Sequence, residues 1–330
     1  MIKLFLRKVK NFIVNRTPFI ELYSKCYDFR HHYKYSFKEY KLRKEKAVYS
    51  YYLRKSYHIV EKGLALPEPR MQFGMPRIIK LVELSGEYVS AYGEDELINT
   101  IKDTLIAYLD FHDTVGFELK KDFYELIREF VSDKRKGEAG GLKNLTRLET
   151  YEESFSSAQN LIKGRVSVRD FSAEEVPLAE IEKIIDLARY TPSVCNRQGW
   201  FVHVYSDKVK FQELLSYQNG NAGFNGNINK LLIVTGNAKA FTFAESNQLF
   251  IDGGLFSMNI LLAIHAAGYG ACPLNTCYPA YKEKKVKVIG NIPDEERLIM
   301  MIGVGSLQEK YSVAYSNKFA LENILIEHKF

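Results

Sequence analysis

The spacing of apolar positions changes character near residue 150. Before it, apolar side chains recur every three or four residues, the repeat of helices that bury one face. Leu97, Ile101, Leu105, Tyr108 and His112 share one such face. Gly116 follows as a stop that can adopt a left-handed conformation. Phe123, Leu126, Ile127, Phe130 and Val131 form a second stripe. Residues 134–144 are mixed in charge and contain Gly140-Gly141, which predicts a linker. The first 135 residues therefore read as all-α.

Beyond residue 150, short apolar runs alternate with helical stripes. A helix is predicted over 178–190, with Pro177 near its first turn and Ile181, Ile184, Ile185 and Ala188 on its apolar face. Trp200 to Tyr205 predicts a strand, Lys208 to Ser216 a helix and Leu231 to Thr235 a buried strand. Residues 246–267 predict a long helix that is apolar on most sides, hence buried on most sides. Leu298 to Val304 predicts another strand. Interleaved strands and helices indicate an α+β or α/β unit.

Composition narrows this picture. A chain of 330 residues with 46% hydrophobic content is globular and long enough for two domains. The expected division is 1–145 and 150–330. No apolar run is expected to approach the roughly 20 residues that span a bilayer, and no signal-peptide pattern is clear at the start. Four cysteines, Cys26, Cys195, Cys272 and Cys277, form no disulfide framework for this length, so a reducing cytoplasm is the expected compartment. Cys272 and Cys277 have no second pair, and no metal site is expected. His203 and His265 read as satisfied core histidines. No strand-based RNA-binding motif is present, and no nucleic-acid partner is expected.

Charge adds one asymmetry. The net charge is +6. Residues 1–60 carry 15 Lys and Arg against 4 Asp and Glu, a balance of +11 that leaves −5 on the rest. His31-His32 lie within this basic segment. Such a segment either meets something anionic or is a solvated helix face. Ile2 to Val14 mix apolar side chains with Lys3, Arg7, Lys8 and Lys10, a pattern able to lie in a membrane interface.

Five segments carry candidate chemistry. In extended backbone, Arg165, Ser167 and Arg169 point to one side, and two guanidinium forks with a hydroxyl suit a phosphate. Thr191 to Trp200 is a turn dense in hydrogen-bonding side chains. Gly220 to Asn227 is rich in Gly and Asn, the composition of a tight connector. Gly268 to Thr276 combines two glycines with Pro273, which would let backbone approach a flat ligand. Tyr315 to Lys318 offers a late cation.

Taken in order, these segments resemble the FMN-binding elements of the nitroreductase family, over roughly residues 155–330. The resemblance implies an α+β, nitroreductase-like sandwich: a central, mostly antiparallel sheet flanked by helices, preceded by the all-α region. It implies that Arg165, Ser167 and Arg169 clasp the phosphate and pyrimidine of FMN. Pro192, Ser193, Val194, Asn196 and Gln198 match the Pro-Ser-x-x-Asn-x-Gln run, a loop that in the family reaches the flavin held mainly by the partner subunit. Asn225 matches an Asn at the flavin's polar edge. Pro273, Leu274, Asn275 and Thr276 match the turn whose backbone N–H groups lie near flavin N5, and Ser316 and Lys318 match a pair at the phosphate. The implied assembly is a homodimer with NAD(P)H as transient reductant and a small-molecule acceptor. No Gly-x-Gly-x-x-Gly follows a predicted strand, in keeping with a transiently bound nicotinamide. Hydride chemistry would belong to the flavin rather than to a catalytic side chain.

This sequence departs from the family pattern at Gly199 (usually Pro), at Arg197, at Asn275 (Glu in some members) and at Ser316 (basic in some). His58 to Gly63 and Phe73-Gly74 lie in a segment like extensions on some nitroreductase-like chains linked to surface-polysaccharide synthesis. The competing class is a non-enzymatic flavin-binding or scaffold protein that docks on an anionic membrane through residues 1–60.

Overall fold

The computed structural model describes residues 19–132, 137, 139–142, 155–314, 316 and 318–329. The expectations for Ile2 to Val14 and for a boundary near 145–150 lie outside these residues. The N-terminal half contains α1 (Phe19–Tyr35), α2 (Lys46–Leu64), α3 (Met75–Tyr92), α4 (Glu96–Thr114) and α5 (Lys121–Val131). Helices α2 to α5 enclose one core around Leu53, Ile78, Ile101, Leu105 and Tyr108. The stripe from Leu97 to His112 is the buried face of α4. Asp95 caps that helix by accepting from the amides of Leu97 and Ile98. At its other end Gly116, at φ +69°, lets Phe117 N donate back to His112 O at 2.9 Å.

The segment expected to be a linker is tied down where it is described. Gly137 N and Ala139 N donate to the buried Asp103 carboxylate at 2.9 and 3.0 Å, and Gly141 N donates to Glu61 at 3.2 Å. Helix α1 does not join the four-helix core. It lies against the C-terminal half, where His31 Nε2 donates to Asp294 O at 2.6 Å and Arg297 pairs with Asp28 at 2.8 Å. His31 and His32 are thus docking residues rather than members of a solvated basic face.

The C-terminal half runs α6 (Phe155–Gly164), α7 (Leu178–Ala188), β1 (Trp200–Tyr205), α8 (Lys208–Leu215), β2 (Lys230–Asn237), α9 (Gln248–Ala266), β3 (Gly270–Asn275), α10 (Ala280–Gly290) and β4 (Glu296–Gly305). The strands form one sheet in the order β1-β2-β4-β3, each pair antiparallel. Alternation sorts the side chains. Leu231, Ile233, Leu274 and Met301 pack with Phe211 of α8 and Val286 of α10. Leu232, Val234, Ile302 and Val304 pack on the other face with Ile181 of α7 and Phe256 of α9. Trp200 stacks on Phe256 at 4.7 Å and anchors this second layer. The fold is the expected α+β sandwich preceded by helices.

Two sequence expectations change. Residues 270–275, of which Pro273 onward is expected as a turn, are the edge strand β3, paired with β4 from Gly270↔Gly305 to Asn275↔Met300. Pro is tolerated there because Pro273 lies at a position whose missing N–H would face the open edge. Of the two glycines in the segment Gly268 to Thr276, Gly268 takes a left-handed φ of +82° and Gly270 serves packing, since a Cβ there would lie 3.0 Å from the Phe171 ring, just as one on its β4 partner Gly305 would lie 2.6 Å from it. The second change concerns α9. Its 19 residues are long and apolar enough to cross a membrane by length and composition, but the helix packs across the sheet as a core element.

Candidate functional site

The segment after α6 runs beside the free edge of β3. Ser167 forms a parallel bridge with Ala271, and Val168 N donates to Ala271 O at 2.9 Å. Val166 and Val168 turn into the core. Arg165, Ser167 and Arg169 alternate with them, as expected of extended backbone. The Nε of Arg165 is buried and has no hydrogen-bond partner, an arrangement that normally costs free energy unless a ligand supplies the acceptor. Arg165 lines a small cavity with Leu261, His265, Tyr269 and Tyr311. Burial pushes the Cys272 thiol above its ordinary value, and the charge of Arg169 opposes that shift.

The same edge carries Pro273, Leu274 and Asn275. Ala271 O and Asn275 O both bond away from β4, the latter to Gln218 Nε2 at 3.2 Å. Positions 271, 273 and 275 thus point their backbone groups outward, and Leu274 points its amide into the ladder opposite Met301. Of the two residues expected to offer an amide, Asn275 is the one that faces the edge. Its Oδ1 accepts from Cys277 N at 3.1 Å. Thr276 turns inward and donates to Ile299 O at 2.9 Å. Asn225 begins a short turn over Asn225–Asn227; its side chain lies outside the described residues. Ser316 and Lys318 are exposed in the C-terminal tail, where Lys318 Nζ donates to Ser316 O.

The loop from Pro192 to Trp200 is strained and heavily braced. Cys195, Asn196 and Gln198 all have φ near +50°, and such left-handed residues cluster at functional sites because the surroundings must hold them there. Ser193 Oγ accepts from Gln198 N at 2.9 Å, and Val194 N donates to the buried Asp252 at 3.1 Å. Pro192 is exposed. Arg197 is a structural lock rather than a free cation. Its guanidinium is 2% exposed, donates to Ala240 O at 2.7 Å and grips Glu245 through two bonds of 2.9 and 2.7 Å. Burial pushes the Glu245 carboxyl up, but Arg197 and the donors of Thr242 outweigh it and bring it down to about 2. Gly199 is required by space: a Cβ there would lie 2.6 Å from that of Ala240.

Helix α9 measures the distance between these pieces. Asp252, near its start, holds the loop, and His265, near its end, lines the cavity beside Arg165. Thirteen residues separate them, about 20 Å at 1.5 Å per residue. The structure therefore joins Arg165–Arg169 to the β3 edge but leaves the Ser193–Gln198 loop at the far end of the helix. Sequence reasoning missed Asp252, Glu245 and Gln218, and it read His265 as a core histidine where the fold makes it a cavity wall. Each sits in an ordinary context, and only the fold reveals its partner.

Comparison with known proteins gives three findings. Residues 162–221 match the Nitroreductase family. The nitroreductase NfnB of Mycolicibacterium smegmatis is 44% identical over 54 residues, which cover 16% of this chain and 23% of that protein; the chain thus spans about a quarter of that relative's length. Solved structures similar to this chain include an FMN-dependent nitroreductase from Clostridium difficile R20291 (19% identity, 52% of this chain and 99% of that one, TM-score 0.45) and a nitroreductase-like protein from Streptococcus mutans (20% identity, 53% and 100%, TM-score 0.46).

Proposed function

We propose that the C-terminal half, whose residues 162–221 match the Nitroreductase family, is an FMN-dependent oxidoreductase that passes hydride from NAD(P)H to a small acceptor. The observation that carries this reading is the Arg165–Ser167–Arg169 face beside the open edge of β3, with a buried guanidinium nitrogen left unpaired. A phosphate is the acceptor that such a group fits best. These three residues would hold the phosphate and pyrimidine of FMN, and Pro273, Asn275 and the outward Asn275 amide would border its ring. When bound, FMN supplies hydride exchange at N5. The chain contributes binding, orientation and charge: Arg169 favours negative charge on the pyrimidine edge, and no side-chain acid or base is needed for hydride entry. A nitroaromatic or quinone-like acceptor in assay is what the family resemblance implies. A role in surface-polysaccharide synthesis rests only on the N-terminal resemblance.

A second copy completes the site. Ile251, Leu255 and Met258 leave an exposed apolar stripe on α9. A twofold axis crossing α9 near Met258 would set the start of one helix beside the end of its mate. The loop held by Asp252 would then meet the partner's Arg165–Arg169 face.

The absorbance spectrum of the purified protein tests the reading. A yellow protein that releases FMN on denaturation, and is bleached by NAD(P)H without oxygen, is expected. A colourless protein that takes up no FMN overturns it. One observation keeps a membrane-peripheral reading for residues 1–60: α1 exposes Phe19, Leu22, Phe29 and Tyr33 among its basic residues. Sedimentation with anionic vesicles, with and without residues 1–60, distinguishes the two.

A further inference from the structure

Helix α1 closes a groove against α10 that lies far from the Arg165–Arg169 face. Ala271, beside that face, pairs with Val304 near the end of β4, whereas the groove is lined by Asp294, just before β4 begins at Glu296. At about 3.3 Å per residue, the strand from Glu296 to Val304 measures roughly 26 Å. The groove encloses about 580 Å³, the size of sites that hold a small organic molecule. Tyr23, Tyr27, Arg30 and Lys34 line it at the spacing of one helix face, and Lys284 lines it from α10.

Its walls are aromatic and its charge is positive. Lys284 Nζ lies 4.7 Å from the centre of the Tyr27 ring and 5.7 Å from that of Tyr23, and donates to the Tyr23 hydroxyl at 3.3 Å. The Arg297 guanidinium lies 5.3 Å from the same Tyr27 ring, so two cations fix it in place. Asp294 is the one carboxylate among the described residues lining the groove, and it is already engaged. It pairs with Lys34 at 3.4 Å and Lys287 at 3.5 Å, and accepts from the Tyr35 hydroxyl. Arg30 is exposed and makes no ion pair among the described residues. The Tyr27 hydroxyl is buried without a hydrogen-bond partner. Burial, reinforced by the charge of Glu283, pushes its ionisation above the ordinary range, so it stays a donor. A buried donor without an acceptor costs free energy that a ligand oxygen would recover.

We propose that this groove binds a phosphate-bearing ligand, with Arg30 and Lys284 as the partners of the anion, the Tyr27 hydroxyl as a further donor, and Tyr23 and Tyr27 as a wall for the group that carries the phosphate. Cations from two helices and an unused hydroxyl around one volume suit a multiply charged anion with several acceptor oxygens. The site is independent of the flavin reading. It gives the basic excess of α1 a specific anion to meet. Such a phosphate is carried either by a soluble ester or by a lipid headgroup.

Two probes separate these sources in the full chain: glucose 1-phosphate by titration calorimetry, and phosphatidylserine vesicles by sedimentation. Arg30→Gln and Lys284→Gln, both at exposed positions, are each expected to weaken binding about tenfold, the scale of one charged hydrogen bond. Tyr27→Phe is expected to weaken it about threefold. Binding of glucose 1-phosphate that weakens in this way supports the site with a soluble ester as its source. Vesicle binding that weakens in this way, without binding of glucose 1-phosphate, supports it with a headgroup as its source. A chain that binds neither probe, or binds as tightly after Arg30→Gln and Lys284→Gln, overturns the site. Binding that responds to Arg169→Ala and not to Arg30→Gln places the phosphate at the other end of β4 and overturns it as well.

Discussion

At the scale of single residues, charge placement decides what each guanidinium does. Arg169 is exposed beside β3, and Arg197 is buried in a paired lock. Arg169→Ala should therefore leave folding intact and make FMN reduction harder by about 1–3 kcal/mol, the worth of a charged hydrogen bond. That corresponds to a midpoint potential about 20–60 mV more negative, measurable by reductive titration. Glu245→Ala should do the opposite. It strands a buried Arg197 and should cost about 3–5 kcal/mol of stability in urea unfolding. The sequence reads Arg169 in an extended segment and Arg197 in a turn, but neither context says which guanidinium is already paired. Glu245 lies 48 residues away from Arg197, so the distinction exists only in three dimensions.

At the scale of elements, periodic patterns were legible and docking was not. The stripe of α4 and the strand Trp200–Tyr205 could be read because burial on one face leaves a regular trace. Strand β3 could not, since Gly270, Pro273 and their neighbours have turn chemistry, and their strand character comes from pairing with β4. The order of the candidate segments was legible. Their separation along α9 was not, because sequence order carries no distance. Nor was the docking of α1, whose aromatic and charged positions resemble a solvated face. That docking has a pH signature. Burial depresses the His31 imidazole to about 4, against an ordinary value of 6.5, despite its bond to Asp294 O. A base with a lowered folded value is neutral when docked. Its stabilisation is complete above pH 6.5 and is lost as pH falls toward 4. Exchange of the α1 amides should rise across that window, and His31→Asn should flatten the rise.

At the scale of the whole molecule, the distance along α9 makes a claim about assembly. If two copies complete each site, a charge in the exposed stripe should remove both pairing and cofactor. Leu255→Glu should yield a folded monomer by sedimentation, with FMN affinity reduced in step. A monomeric wild-type chain that holds FMN at micromolar concentration would refute the shared site.

The chain crosses between its halves more than once. Helix α1 rests on the C-terminal half, α2 enters the helical core while packing against Ala238–Ala240, and Asp103 gathers the amides that lead back out. The two halves are therefore interlocked rather than strung in series. A backbone cut between residues 142 and 155 should yield fragments that remain associated and copurify, behaving as one mechanical body although they are two polypeptides.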